Sequence, residues 1–251
     1  MGLPLARARS DGVRSFGGGG MAEICVLYEN RADEGLRPGW GFSAFIRSEA
    51  AVVLFDAGAD KLVLEHNAKA MGCDLDIVTA FVLSHDHCDH RGAMSSVLHK
   101  GLRVYVPAPI SRRFRRLQKG GVELRSVKHP VDIVPGTRSI GSIGRRIPEQ
   151  ALLLDGADGP ILVTGCAHPG IVKMARRATE LAGRPLSLVL GGFHLLYKNE
   201  DELRRVIEQL QRLEIDRIGP CHCTGERAIA ALRDAFADRF VKVQAGTRIP
   251  F

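Results

Sequence analysis

No apolar run in this 251-residue chain approaches the roughly 18 residues that a membrane-spanning helix needs, and the N-terminus lacks the continuous apolar stretch of a secretory signal. These two absences lead us to expect a cytoplasmic protein with no membrane partner. The six cysteines (Cys25, Cys73, Cys88, Cys166, Cys221 and Cys223) show no framework-like spacing, which argues against a disulfide scaffold and suits reduced thiols. Four of them, Cys88, Cys166, Cys221 and Cys223, lie within two residues of a histidine; as a class, though, such cysteines are mostly small buried apolar residues. No internal repeat of fixed period is visible. There is also no G-x-S-x-G element, so serine-hydrolase chemistry has no support.

The hydrophobic content of 45% is enough to bury a substantial core, and the length suits one α/β domain, expected over 21–251. Residues 1–20, "MGLPLARARSDGVRSFGGGG", scatter arginines around a four-glycine run and have no period of helix or strand. Such a segment cannot bury enough apolar surface to offset its ordering entropy, so a disordered leader is expected there, or a start codon placed upstream of Met21. A formal net charge of +7 favours anionic partners such as phosphates, carboxylates or nucleic acid. Part of that charge is concentrated in "SRRFRRLQKG" (111–120) and in Arg125, Lys128, Arg138, Arg145 and Arg146. Ile110, Phe114 and Leu117 recur there at i, i+4 and i+7. The segment therefore reads either as an amphipathic helix with a solvated basic face or as an anion-gathering arm.

Strand-like runs occur at 23–28, 41–47, 51–58, 77–84, 102–107, 122–127, 186–192, 216–220 and 240–244. In "ALLLDGADGPILVTG" (151–165) the "DGADG" is a turn signal between two apolar runs, which predicts a hairpin. Helical periodicity is clearest at 201–213, where Leu203, Val206, Ile207, Leu210 and Leu213 form a stripe, and again at 225–240. Shorter helices are expected at 60–71, 90–99 and 169–182. Helices separate strands in both halves while hairpins interrupt them, which fits neither an all-parallel sheet nor an all-β barrel well. The arrangement inferred is two sheets with helices outside.

The chemistry is concentrated in "FVLSHDHCDHRGAM" (81–94). His85, His87 and Asp89 follow a strand at i, i+2 and i+4, so an extended backbone would turn them to one side, and His90 begins an expected helix. Ligands arriving from two directions suggest two metals. Imidazole and carboxylate donors suit Zn²⁺ and tolerate Fe or Mn. His168, His194 and His222 each end a separate strand-like run, which packing alone does not explain. His66, His99 and His129 read as ordinary hydrogen-bonded residues. Asp56, in "FDAG", reads as a carboxylate that orients a ligand imidazole, or else as a simple turn residue.

"SHDHCDH" matches the H-x-H-x-D-H signature of the metallo-β-lactamase superfamily, and "VLFDAG" resembles the strand and turn that precede it there. "GFSAFI", "LVTGCAHPGIV", "LGGFHLL" and "GPCHCTG" are similar to the branch of dihydropterin-methyl-ribofuranosylaminobenzene 5'-phosphate synthases and their uncharacterised bacterial relatives. The resemblance covers 23–244 and is weakest over 108–145. It implies an α/β fold of the αββα sandwich type, two mixed sheets with helices outside and a dinuclear site at one edge. Carried over, His85, His87 and His168 would hold the first metal, and Asp89, His90 and His222 the second. The chain departs from the superfamily at "TGCAH", where many of its hydrolases place an aspartate that bridges both metals. Cys166 would substitute as a thiolate, or water alone would bridge. His194 would be a ligand or a general acid.

Two metals about 3.5 to 4 Å apart lower the pKa of a shared water and clamp attacking and leaving oxygens. The resemblance thus implies a dinuclear hydrolase acting through metal-bound hydroxide on a small phosphate-bearing ester, with Asp89 or His194 assisting proton transfer. The alternative implied by the branch is a transferase, in which an aminobenzene displaces pyrophosphate from a pterin-methyl diphosphate. A non-catalytic metal sensor would predict an incomplete motif, and the motif is intact. The basic segment is short for a polynucleotide clamp, so nucleic acid is not expected as a partner.

Overall fold

Apolar side chains alternate with a period of two along the central strands, and both phases are buried. Ile24 and Val26 belong to one core and Cys25 and Leu27 to another; Leu162 is separated in the same way from Ile161 and Val163. Strands covered on both faces read as nearly continuous apolar runs, which is why "EICVLY" and "ILVT" lack a polar phase.

In the computed structural model, the described residues are 22–251; the leader expected over 1–20 lies outside them. The strands in chain order are β1 (Glu23–Tyr28), β2 (Ser43–Arg47), β3 (Val52–Phe55), β4 (Ala80–Val82), β5 (Arg103–Pro107), β6 (Glu123–Val127) and β7 (Val131–Val134). They continue as β8 (Thr137–Ser139), β9 (Leu152–Gly156), β10 (Gly159–Thr164), β11 (Leu188–Gly192), β12 (Arg217–Cys221) and β13 (Arg248–Pro250). The helices are α1 (Lys61–Ala70), α2 (Cys88–Arg91), α3 (Arg112–Arg115), α4 (Ile171–Ala182), α5 (Glu200–Gln211) and α6 (Glu226–Phe236).

One sheet has the order β13-β1-β2-β3-β4-β5-β6 and the other β12-β11-β10-β9-β8-β7. Both are mixed: β3 to β6 run parallel, as do β10 to β12, and the remaining pairs are antiparallel. Ile24, Val53, Leu154, Val163 and Leu190 fill the space between the sheets. Leu64 and Ala68 of α1 and Phe114 of α3 cover the outer face of the first sheet. Met174, Leu210 and Leu232 cover the second from α4, α5 and α6. The layers are therefore helix, sheet, sheet, helix. Among the described residues, no helix is long and apolar enough to cross a membrane.

The hairpin predicted at "DGADG" joins β9 to β10, with Gly156 opposite Gly159. The helices expected at 60–71, 169–182, 201–213 and 225–240 are present within a few residues as α1, α4, α5 and α6. Three expectations need correction. Residues 240–244 form no strand; Phe240 makes only an isolated bridge to Ile218. The helix expected over 90–99 is a four-residue α2 followed by a 3-10 turn at Met94–Ser96; between them Gly92 passes against the Ala59 backbone, where a side chain would not fit. The amphipathic helix read from Ile110, Phe114 and Leu117 is only α3, continuing as a 3-10 turn over Arg116–Gly120. β8 and β13 carried too few apolar residues to register as strands, and β7 is only four residues long.

Parallel strands bring their carboxyl ends to one edge, where ligand sites form in α/β sheets. β3 runs into Asp56, β4 into Ser84 and His85, β10 into Cys166 and His168, β11 into His194, and β12 into His222. Elsewhere, α5 is set by local chemistry. The Asn199 side chain accepts from the Glu202 amide at 2.9 Å while Glu202 accepts from the Asn199 amide at 3.0 Å, a reciprocal cap. Asn199→Ala is expected to cost about 1 kcal/mol in urea unfolding; an unchanged midpoint would show that the cap contributes nothing.

Candidate metal centre

Asp56, Ala167, His194 and His222 all have positive φ, between 49° and 58°, although none is glycine. Each such residue costs about 1–3 kcal/mol and persists only where its surroundings hold it. Three buried carboxylates do the holding at Asp56, Ala167 and His222, and beside His194 the Phe193 amide donates to Thr224 Oγ1 at 3.0 Å. Asp56, fully buried, accepts from the Ser84 amide (2.7 Å), the Ser84 hydroxyl (2.7 Å) and His90 Nδ1 (2.7 Å). Glu149, also fully buried, accepts from the amides of Cys166 (2.9 Å), Ala167 (2.8 Å) and His168 (2.8 Å). Glu29 accepts from the His222 amide at 2.7 Å. Burial pushes the Glu149 carboxyl up to about 7 and that of Glu29 upward as well, against the pull of these amides.

The imidazoles gather into two sets. In the first, His85 Nε2 lies 2.9 Å from His87 Nδ1 and 3.2 Å from His168 Nε2. In the second, His90 Nε2 lies 3.2 Å from His222 Nε2, and Asp89 Oδ2 lies 3.3 Å from His222 Nε2 and 3.7 Å from His90 Nε2. Cys166 Sγ stands 3.2 Å from His90 Nε2 and also groups with His85, which places it between the sets. Asp89 does not share the extended run of His85 and His87, as its spacing had suggested. His87 caps α2, so Asp89 and His90 project from the helix and join the other set.

Hydrogen bonds behind the rings dictate which nitrogen faces inward. Ser84 Oγ donates to Asp56 and so accepts from His85 Nδ1 at 2.8 Å. His90 Nδ1 donates to Asp56, and His222 Nδ1 donates to Asn30 Oδ1 at 3.1 Å. With Nδ1 protonated in all three, Nε2 presents a lone pair. His90 and His222 then aim two lone pairs at each other across 3.2 Å. A cation between them converts that repulsion into attraction, and two nitrogens about 2.0–2.1 Å from a tetrahedral Zn²⁺ would stand about 3.3 Å apart. The donor set therefore fits a metal.

Burial lowers the pKa of His85, His87 and His168, that of His168 to about 3, favouring neutral rings. At His90 burial also opposes charge, but the adjacent Asp56 outweighs it and raises the pKa. Burial likewise disfavours the charged Asp89; the His222 hydrogen bond and the neighbouring imidazoles overcome this and lower its carboxyl to about 2. His194 is exposed and stacks near His168, ring centres 4.2 Å apart. A hydrogen bond with Cys223 raises its pKa. Cys166, His194 and Cys223 bring their ligand atoms within 4.8 Å of one another.

All the residues read from the sequence as site candidates, His85, His87, Asp89, His90, Cys166, His168, His194 and His222, thus meet at this edge. His66 and His99 lie apart, each bonded to a backbone carbonyl. Of the histidine-adjacent cysteines, Cys88 is exposed and Cys221 points into the core between the sheets. Sequence reasoning missed Glu29, Asn30 and Glu149. The available signal was a polar pair beside an apolar run, "EN" after β1 and "EQ" before β9.

Gly165 lets β10 close on this network: a Cβ there would overlap the Ser84 hydroxyl and lie 2.9 Å from Asp56 Oδ2. Gly165→Ala is expected to destabilise the protein by about 1–3 kcal/mol in denaturant melts. Gly120→Ala, with open space around it, should stay within about 0.5 kcal/mol. Equal effects at both positions would show that the strand end tolerates a side chain.

No protein-family model matches the chain. It is 22% identical over 247 residues to the 7,8-dihydropterin-6-methyl-4-(β-D-ribofuranosyl)-aminobenzene-5'-phosphate synthase of Methanocaldococcus jannaschii, covering 79% of this chain and 84% of that protein. It is 26% identical over 246 residues to the uncharacterized protein MJ0448 of the same organism, covering 83% and 93%. Among solved structures it is similar to Tm1679, a metal-dependent hydrolase of the β-lactamase superfamily, with a TM-score of 0.78, 24% identity and coverage of 92% of this chain and 99% of that one. With two mixed sheets between outer helices and a histidine-rich edge where the strands end, the chain has the metallo-β-lactamase fold.

Proposed function

We propose that the chain is an enzyme that holds two divalent metal ions and hydrolyses a small anionic, phosphate-bearing ester. The observation that carries this reading is the pair of inward-facing donor sets, His85, His87 and His168 beside Asp89, His90 and His222, with Cys166 between them. Zn²⁺ suits these donors best, and Fe or Mn is compatible with them. When bound, such ions lower the pKa of water and neutralise charge on phosphoryl oxygens.

The chain's own residues divide the remaining work. Asp89 stays ionised over the working range because its carboxyl titrates at about 2, so it serves as a ligand and is a weak base. His194 is exposed beside His168 and keeps a raised pKa through Cys223, which suits it to deliver a proton to a leaving oxygen. Asp56, Glu149 and Glu29 hold the loops in place from behind. A cytoplasmic setting, which keeps Cys166 and Cys223 reduced, belongs to the same reading.

Similarity to the pterin-aminobenzene phosphate synthase favours a second reading on the same site, a transferase in which an aromatic amine replaces water. Metal-loaded protein incubated with a pterin-methyl diphosphate, with and without an aminobenzene acceptor, separates the two. Acceptor-dependent pyrophosphate release with a coupled product supports the transferase, and acceptor-independent release supports the hydrolase.

His85→Ala or His87→Ala is expected to abolish turnover together with one equivalent of metal, read by elemental analysis. Full metal content and turnover in either variant would refute the ligand set. Asp56→Asn keeps the shape but loses the charge, and is expected to weaken metal affinity about 10–100-fold in chelator competition.

A further inference from the structure

Beside His168 and His194, a cleft of about 560 Å³ opens, lined from α4 and α5. It shares His168 and His194 with the donor cluster and extends away from them along α4 and α5. Its lining is largely apolar, with buried Ile171, Phe193 and Leu195 and, from α5, Val206. Its rim carries three cations, Lys173, Arg176 and Lys198, and no carboxylate lines it. Lys198 is engaged by Glu202 at 2.8 Å. Lys173 and Arg176, one helical turn apart on α4, are exposed and make no ion pair among the described residues.

An apolar wall alone would suit any hydrophobic body. Uncompensated cations beside it select one that ends in a negative charge, and low-dielectric walls strengthen that selection. The donor cluster fixes where the reacting end must lie. The cleft is what a longer substrate would meet on the His168 and His194 side.

We propose that this cleft is the subsite for the far end of the substrate: an apolar or aryl body lying against Ile171, Phe193 and Val206 and ending in a second anionic group, phosphate or carboxylate, bound by Lys173 and Arg176. The proposal rests on the reading of the donor cluster as the reacting centre. It makes Lys173 and Arg176 determinants of specificity and leaves the reacting atoms to the histidines.

The test is calorimetric titration of the metal-loaded full chain with alkylphosphonates of increasing length, each paired with the phosphonoalkanoate of the same length that carries a terminal carboxylate. The phosphonate end reports on the donor cluster and the carboxylate end on the cleft. The terminal carboxylate is expected to tighten binding by about tenfold or more at an optimal length, a gain of the size that charge-assisted hydrogen bonds supply. Lys173→Ala/Arg176→Ala should abolish that gain while leaving metal content and alkylphosphonate affinity unchanged. Arg176→Glu should turn the gain into a penalty. Equal binding of the paired compounds at every length, or an undiminished gain in the double variant, overturns the cleft assignment and leaves the hydrolase reading in place. If the wild-type protein binds neither series, the reading of the donor cluster falls and the cleft assignment with it.

Discussion

Both donor sets depend on one buried carboxylate. Asp56 sits at the end of β3 with positive φ and no solvent exposure, and it accepts three hydrogen bonds of 2.7 Å. Through Ser84 it orients His85 in the first set, and directly it orients His90 in the second. A buried carboxylate is costly unless its lone pairs are met. Here they are met by the groups that must be positioned, so satisfying the charge and building the site are one event. Glu149 and Glu29 repeat the arrangement at the ends of β10 and β12, each holding the backbone of a loop that carries a histidine.

This construction makes the centre electrostatically unusual within a basic chain. Imidazoles that burial keeps neutral, those of His85, His87 and His168, face inward while carboxylates stand behind and beside the cluster, so the middle of the edge attracts cations, although the whole chain carries a formal charge of +7. Burial raises the Glu149 carboxyl to about 7, and a divalent ion nearby would favour its charged form. Outward from the centre the sign reverses at Lys173 and Arg176. On the proposed reading, a negative well within a positive surround would draw metal to the centre and an anionic substrate to its rim.

The backbone bears a matching cost. Four residues at strand ends occupy the left-handed region without being glycine, and glycines stand where a side chain would collide, as Gly165 does against Ser84. Local preference is overridden at the positions where side chains must converge, and the three sheet and helix cores supply the stability that allows it.

The sequence by itself determined the two-sheet architecture and most of the inward-facing donors. Continuous apolar runs, the "DGADG" hairpin and the stripes of α5 and α6 are local patterns written in consecutive residues. The run from His85 to His90 and the histidines after β10, β11 and β12 were legible for the same reason: each lies immediately beyond an apolar run that marks its strand. Only the tertiary structure decided how those donors divide, since Asp89 joins His222, 133 residues away, and is parted from its near neighbour His87. It alone revealed Glu29, Asn30 and Glu149, whose partners lie 193, 192 and 19 positions along the chain. A hydrogen bond to a distant amide leaves no periodic trace, because its partner is chosen by how two sheets meet and not by what stands next to it in the chain.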